Sequence, residues 1–201
     1  MDVRTLVKVL PLVTAVQIPA SLAAQAPQTD QGMLVVRQGG RELAREEFAL
    51  QPDPNPRAQG VTTLSVVRTV PGAPATRMVI RFDPRTVTVR IATPTGEVAR
   101  EYPGQRGLLF MDHDIFALHA LTGGLEAGQV QIHFPRSGSR ATGTLEDAGA
   151  ERTMMGRQER DLRHRVLRVS DQTYHLWFDA AGRLMKATAP DRGLVAERAN
   201  P

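Results

Sequence analysis

Apolar and polar residues alternate along two consecutive segments, and this period of two constrains the fold more than any other feature of the chain. The segments are 77–82 and 86–91, separated by Asp83-Pro84-Arg85. Successive side chains of a strand point to opposite faces, so the pattern predicts a hairpin with one buried and one solvated face. Strands of a parallel sheet would read as continuous apolar runs, so the pattern favours an antiparallel sheet. The residues expected to face the core are Met78, Ile80, Phe82, Val87, Val89 and Ile91.

Other segments carry similar strand signals. Gly39-Gly40 predicts a hairpin turn between 33–38 and 41–50, and the three prolines of 51–60 predict a loop. Further strands, for about ten in all, are expected at 61–69, 98–102, 108–111, 130–134, 160–169, 174–179 and 183–189. On the segment 130–134 we expect His133 to face solvent, because it alternates with the apolar Ile132 and Phe134.

One segment, 113–123, has the spacing of a helix of about ten residues. Asp112 or Asp114 would cap its start, and Gly123-Gly124 would end it. Ile115, Phe116, Leu118 and Leu121 are expected to be buried and His119 partly exposed. The sequence therefore predicts one mostly β domain over 33–201, a curved antiparallel sheet or open barrel with this helix packed on its concave face.

The N-terminal residues have the pattern of a secretory signal peptide over 1–23. A charged start precedes an apolar run and then the small residues Ser21 and Ala23, after which we place the cut. The short run, interrupted by Pro11 and Pro19, argues against a membrane-spanning helix, which needs about 20 apolar residues. A buried N-terminal helix is the alternative. The pattern predicts a periplasmic or secreted protein with a disordered lead-in at 24–32.

Composition excludes several classes of function. The net charge of +4 is too small to indicate a nucleic-acid-binding protein. The chain has no cysteine, which excludes disulfides, cysteine catalysis and cysteine-ligated zinc. It has neither a Gly-x-Ser-x-Gly serine-hydrolase motif nor a glycine-rich phosphate loop, and we expect no cofactor.

The densest set of residues that could bind a metal ion is Asp112, His113 and Asp114, with His119 following. On a helix, His113 and His119 would lie about 120° apart around the axis, unlike the i, i+4 pair of a helical zinc site. Helix capping by the aspartates is the competing interpretation and the one favoured.

The segment 160–168 is rich in arginine, and Arg160, Arg163 and Arg165 could contact an anionic lipid or glycan. The alternative is a solvated strand whose charges discourage edge pairing. Trp177, the chain's one tryptophan, fits packing in the core or at its rim better than a role in ligand binding.

The segment 174–186 has a layout that resembles one found in a known group of proteins. Its strand ends in Trp177-Phe178-Asp179, and Gly182-Arg183-Leu184 leads into a second strand. Together with a helix that leads into the strand 130–135, this layout resembles exported bacterial domains similar to the lipoprotein-carrier (LolA/LolB-like) open barrels, over about 108–198. The resemblance implies a curved antiparallel sheet wrapped around a helix, with room for an apolar cavity. It implies no catalytic residue.

Three hypotheses for the function follow. The first is a non-enzymatic carrier that binds a lipid or other apolar ligand between helix and sheet. The second is a structural or assembly factor that contacts an envelope protein through 160–168 and Gly39-Gly40. The third is a hydrolase or metal enzyme that uses Asp112, His113 and His119. The residues expected to line the ligand site of the first hypothesis are Phe82, Ile91, Phe116, Leu118, Ile132 and Trp177.

Overall fold

The computed structural model describes residues 29–55, 60–104 and 107–199. The predicted signal peptide, 1–23, lies outside these residues. Thirteen strands form one curved, unclosed sheet. The strands are β1 (Asp30–Gln38), β2 (Arg41–Pro52), β3 (Thr62–Thr69), β4 (Thr76–Phe82), β5 (Thr86–Thr93), β6 (Gly96–Pro103), β7 (Leu108–Phe110), β8 (Gly128–Phe134), β9 (Ser139–Met155), β10 (Gln158–Val169), β11 (Gln172–Phe178), β12 (Leu184–Ala189) and β13 (Leu194–Arg198). Two 3₁₀ helices, Phe116–Gly124 and Pro190–Arg192, complete the described elements.

The strands follow one another in the sheet almost as they do in the chain. The order is β6-β5-β4-β3-β2-β1-β13-β12-β11-β10-β9-β8-β7, so β1 pairs with β13 in the interior and β6 and β7 form the two edges. Every pairing is antiparallel except that of β7 with β8. The prediction of a mostly β, antiparallel architecture is confirmed.

A buried ion pair joins the first and last strands. Asp30 Oδ1 lies 2.5 Å from Arg198 Nη2, and Asp30 Oδ2 accepts a hydrogen bond from the Leu184 N–H at 3.0 Å. Arg198 also donates to the carbonyl of Gln31 at 2.7 Å. Gly32 leaves room for this guanidinium, since a Cβ there would collide with it. Ordered structure therefore reaches back to Asp30, and the predicted lead-in, 24–32, is wrong for its last three residues.

The predicted helix is present as the 3₁₀ helix Phe116–Gly124, which lies on the concave face against β1, β2 and β12. Phe116, Ala117, Leu118 and Ala120 are all fully buried. The predicted capping is wrong, because Ile115 is the N-cap residue and no side chain caps the helix there. The predicted end is confirmed, since the helix stops at Gly124.

The N-terminal end of this helix is bound instead by a residue far away in sequence. Glu46 of β2 is completely buried, and its Oε2 accepts a hydrogen bond from the Ala117 N–H at 2.7 Å. Arg68 of β3 donates to Oε1 of the same carboxylate at 2.8 Å. The free N–H groups give this end of the helix a partial positive charge, which favours a carboxylate there.

A buried arginine binds the other end. Arg165 of β10 has no exposed surface, and its guanidinium donates to the carbonyl oxygens of Thr122 and Leu125. Both carbonyls lie at the C-terminal end of the helix, whose partial negative charge attracts a cation, and that of Thr122 also accepts a hydrogen bond from the Leu125 N–H at 3.2 Å. Glu46 and Arg165 therefore hold the helix on the sheet from opposite ends, each by a charge of the favoured sign.

Two strands were not predicted from the sequence. The long strand β9 is exposed on both faces from Glu146 to Glu151, so its residues show no alternation. The short strand β13 has only five residues and becomes a strand by pairing with β1 and β12. Both are strands because their neighbours offer hydrogen bonds, which a local pattern does not report.

The buried Glu46 gives the stability of the fold a dependence on pH. Burial raises the pKa of Glu46 to about 7, against the opposing effects of the Ala117 N–H and of Arg68. The folded state therefore keeps a proton that the unfolded state has already released, and the contribution of Glu46 to stability falls as the pH rises from about 4.5 to 7. We expect Glu46→Gln to remove this fall, which is on the order of 3 kcal/mol at 1.36 kcal/mol per pKa unit.

Urea denaturation between pH 4.5 and 8 gives the unfolding free energies of the wild type and of Glu46→Gln. The effect of Glu46 is the change with pH in the difference between these two free energies. Glu47→Gln is the matched control, since Glu47 is the neighbouring residue and is exposed. The difference in unfolding free energy between the wild type and Glu47→Gln should stay constant with pH, whereas the stability of the wild type relative to Glu46→Gln should fall as the pH rises from about 4.5 to 7. A Glu46→Gln curve parallel to the wild type would contradict this account.

Candidate functional site

A cleft of about 730 Å³ opens at one end of the sheet. Three segments form it: the loop 111–114 after β7, the hairpin 134–141 between β8 and β9, and the turn 169–172 between β10 and β11. Its lining residues are Met111, Asp112, His113, Asp114, Phe134, Arg136, Ser137, Ser139, Arg140, Ala141, Val169, Ser170, Asp171 and Gln172. Because hairpins and turns form its walls, side chains of distant sequence positions meet there.

The wall formed by the loop 111–114 is fixed by ion pairs. Asp112 Oδ2 lies 2.8 Å from Arg136 Nε, and Asp112 Oδ1 accepts a hydrogen bond from the Asp114 N–H at 3.0 Å. Asp114 in turn pairs with Arg192 at 3.0 Å, and Arg192 also donates to the carbonyl of His113. The aspartates that were predicted to cap the helix therefore shape this cleft.

The interior of the cleft is partly apolar. Met111 is buried, and the imidazole of His113 stacks on Phe134 with ring centroids 5.1 Å apart. Val169 is also buried. Ala141, which is half-buried, packs against the core. The cleft therefore presents apolar surface to a molecule that enters it.

The rim carries a cation without a partner. Arg140 is exposed, and its side chain makes no hydrogen bond or ion pair with any residue in the described parts of the chain. Ser137 and Ser139 lie beside it, with their hydroxyl oxygens 2.7 Å apart. His113 Nδ1 bonds to Gln172 at 3.2 Å instead of to a serine. These contacts suit binding of an anionic group, and the described residues of the cleft contain no serine–histidine hydrogen bond that would activate a nucleophile.

The structure separates the residues predicted to bind a metal ion. Asp112 is held by Arg136, and His113 is exposed against Phe134. His119 lies in the core, with Tyr174 4.7 Å from its ring centroid. Within the described ranges no group of three or more histidines and carboxylates has the geometry to hold a metal ion.

Two histidines predicted to be at least partly exposed are buried. His119 is 2 % exposed because the 3₁₀ helix turns this flank toward β11 as well. His133 is 4 % exposed and contacts the rings of Tyr102 and Phe110, with centroids 4.8 and 5.8 Å away. Tyr102 belongs to the edge strand β6. Curvature of the sheet brings this edge over His133, which alternation predicts to face solvent. The prediction for His133 is wrong because period two describes a flat sheet, and the prediction for His119 is wrong because Tyr174 covers the flank of the helix.

The residues predicted to bind an apolar ligand fall into two groups. Ile91, Phe116, Leu118 and Ile132 belong to the core between sheet and helix, and Phe82 packs against it. Trp177 belongs to a separate cluster on the opposite face, with Met155, Leu162 and Met185. None of the six lines the end cleft. This grouping follows from alternation along β11, since Leu176 beside Trp177 faces the core.

The arginine-rich segment lies in β10, an interior strand, so its charges guard no edge. Arg163 pairs with Asp147 and Arg168 pairs with Glu146. Arg160 donates to Gln158 at 3.2 Å, while Arg165 holds the helix. Gly39-Gly40 likewise joins two interior strands and forms no sheet edge.

Burial of His119 predicts a loss of stability in acid. Burial lowers the pKa of His119 to about 3, so below about pH 6.5 the unfolded state binds a proton that the folded state excludes. The contribution of His119 to stability therefore falls as the pH falls, by about 2–3 kcal/mol between pH 6.5 and 4.5. We expect His119→Leu to lack this loss in chemical denaturation curves recorded across that range. His113→Leu, at an exposed histidine, should keep it, and equal slopes for the two variants would argue against the assignment.

No protein-family model, curated protein or solved structure matches the chain. Among the described residues, none of the helices has the length and apolar character needed to cross a bilayer. The site is therefore interpreted from its own geometry.

Proposed function

We propose that the chain is an exported, non-enzymatic envelope protein that binds an amphipathic ligand, with an apolar body and an anionic group, in the end cleft. The observation that carries the proposal is the cleft itself. Its volume of about 730 Å³ falls within the range of small-molecule sites, roughly 300–1,000 Å³. Such sites combine a mainly apolar lining with a few polar groups that orient the ligand.

The lining supports this class of ligand. Met111, Phe134 and Val169 offer apolar contact for a short hydrocarbon body. Arg140 offers a guanidinium that no carboxylate of the described residues neutralises, in the fork geometry suited to a carboxylate or phosphate. The remaining charges of the loop wall are paired, as in Asp112 with Arg136, so the anionic group has one clear partner.

The cleft is a better candidate than the space between helix and sheet. Phe116 and Leu118 are fully buried there, as packing residues of a helix that Glu46 and Arg165 hold at both ends. A ligand in that space would have to displace the helix from these contacts. In the end cleft, a ligand needs to displace only water.

Export is part of the proposal and is supported by the N-terminal sequence. The charged start, apolar run and small residues before position 24 have the signal-peptide pattern, which places the mature chain in the periplasm or outside the cell. A fatty acid or a lipid fragment is an amphipathic anion that occurs in these compartments, and the absence of cysteine leaves the fold indifferent to their redox conditions.

A fluorescent fatty acid, dansyl-labelled undecanoic acid, tests the proposal directly. We expect saturable binding to the protein lacking residues 1–23, and displacement by unlabelled dodecanoate. Arg140→Gln should weaken binding about tenfold, as expected for loss of a charge-assisted hydrogen bond. Ser139→Trp should fill the cleft and abolish binding.

Arg90→Gln is the matched control, since Arg90 is exposed on β5 and does not line the cleft. Binding that is absent in the wild type, or that is unchanged in both cleft variants, would contradict the proposal. Equal weakening in Arg90→Gln would show that only net charge matters.

A second candidate, an assembly factor that binds another envelope protein, is favoured by one observation. β9 is paired with β10 along 143–155 but with β8 only along 139–145. Within the described part of the chain, no strand pairs with the outer edge of 146–155, where Met154 is 47 % exposed. A free strand edge with an exposed apolar residue can accept a strand of another protein.

Photo-crosslinking in cells separates this candidate from the first. A crosslinker at Arg152, on the free edge, should give one discrete protein adduct if a partner strand pairs there. The adduct should disappear with Met154→Lys, because a lysine opposes strand addition at an edge. A crosslinker at Arg90 is the control, and adducts that are absent from Arg152 or equal at both positions would argue against the assembly function.

A further inference from the structure

Two histidines meet on the face of the sheet opposite the helix. His164 of β10 and His175 of β11 lie on neighbouring antiparallel strands, and Nε2 of His164 is 3.0 Å from Nδ1 of His175. The other ring nitrogen of His164, Nδ1, lies 2.7 Å from Glu151 Oε2. Trp177 stacks on His164, with ring centroids 4.7 Å apart and planes 8° from parallel. The proposed function uses none of these four residues.

The carboxylate determines which nitrogen of His164 carries the proton. An ionised carboxylate only accepts hydrogen bonds, so Nδ1 of His164 is the donor to Glu151. In the neutral ring Nε2 then carries a lone pair that points at His175. His164 is thus held in the form in which imidazole binds metals.

The separation of the two nitrogens suits a shared cation. Metal–imidazole bonds of about 2.0–2.1 Å at angles of about 90–109° place two ligand nitrogens roughly 2.8–3.4 Å apart. The observed 3.0 Å lies within this interval. A carboxylate that accepts a hydrogen bond from the other nitrogen of a ligating histidine is the usual outer partner at metal sites. Glu151 occupies this position.

We propose that His164 and His175 are the two protein ligands of an open site for a divalent transition-metal cation, with Glu151 as the carboxylate that orients His164. Water completes the coordination, because no third histidine or carboxylate within the described ranges joins the pair. On binding, the proton on Nδ1 of the neutral His175 ring moves to Nε2 of the same ring by exchange with solvent, and the lone pair left on Nδ1 forms the bond to the metal. Imidazole nitrogens bind Cu²⁺ most tightly among the common first-row divalent ions.

The surroundings leave the site accessible and its charge balanced. The side chain of Glu151 is 45 % exposed, so the metal approaches from solvent beside it. Lys186, 5.6 Å from the centroid of Trp177, is neutralised by Glu197 at 3.2 Å. The nearest cation on β12 therefore repels a bound metal only weakly.

The stacked indole provides the measurement, since Trp177 is the only tryptophan of the chain. Protein that lacks residues 1–23 and carries no histidine tag is titrated with Cu²⁺, a strong quencher, near neutral pH. We expect Trp177 fluorescence to fall to a plateau at one equivalent and to recover when EDTA is added. Absence of a saturable fall in the wild type overturns the proposal.

Variants locate the site. His164→Gln and His175→Gln should each abolish the saturable fall, whereas His113→Gln, at an exposed histidine in the end cleft, should leave it unchanged. Glu151→Gln keeps both imidazoles and is exposed enough to spare the fold, and it should weaken Cu²⁺ binding about 10–100-fold. Circular dichroism confirms folding of each variant. Quenching that survives in both histidine variants, or a Glu151→Gln affinity equal to that of the wild type, overturns the proposal.

Discussion

Two buried charges on distant strands determine how the inner face of the sheet is filled. Glu46 of β2 accepts hydrogen bonds from the first backbone N–H groups of the 3₁₀ helix, and Arg165 of β10 donates to its last carbonyls. A helix of nine residues is too short to be stable by its own hydrogen bonds, and 3₁₀ runs of this length are uncommon. The two charges act with the burial of Phe116 and Leu118, so helix and sheet depend on each other.

This arrangement leaves space for the end cleft only at the margin of the inner face. Because the helix fills the middle of the core, the open space lies where the turns of β8–β9 and β10–β11 meet the loop after β7. The same turns present the side chain of Arg140 to solvent, with no ion-pair partner among the residues that the structure describes. On the outer face, the pairing of β10 with β11 sets His164 beside Trp177 and next to His175. Both places combine residues that are far apart in the chain.

Particular residues show how far prediction from sequence reaches. Alternation correctly predicted the hairpin of β4 and β5, because Ile80 and Val89 face a core that one local pattern describes. It failed for His133, since burial there comes from Tyr102 on the opposite edge of a curved sheet. Five of the six residues predicted to line a ligand site belong to the core between helix and sheet or pack against it, and Trp177 belongs to the cluster on the outer face. Alternation along β11 does place His175 and Trp177 on one face, and this signal could have pointed to the outer pair.

The sequence by itself determined the mostly β, antiparallel class and the place of the helix, because side-chain periodicity is a property of neighbouring residues. The tertiary structure alone decided that Glu46, not Asp112, holds the start of the helix, and that Asp112 pairs with Arg136 at a cleft. It also decided that His164 and His175 touch. Contacts of this kind depend on strand register and sheet curvature. The hydrogen bonds of all thirteen strands together determine both, so no local segment of the sequence predicts them.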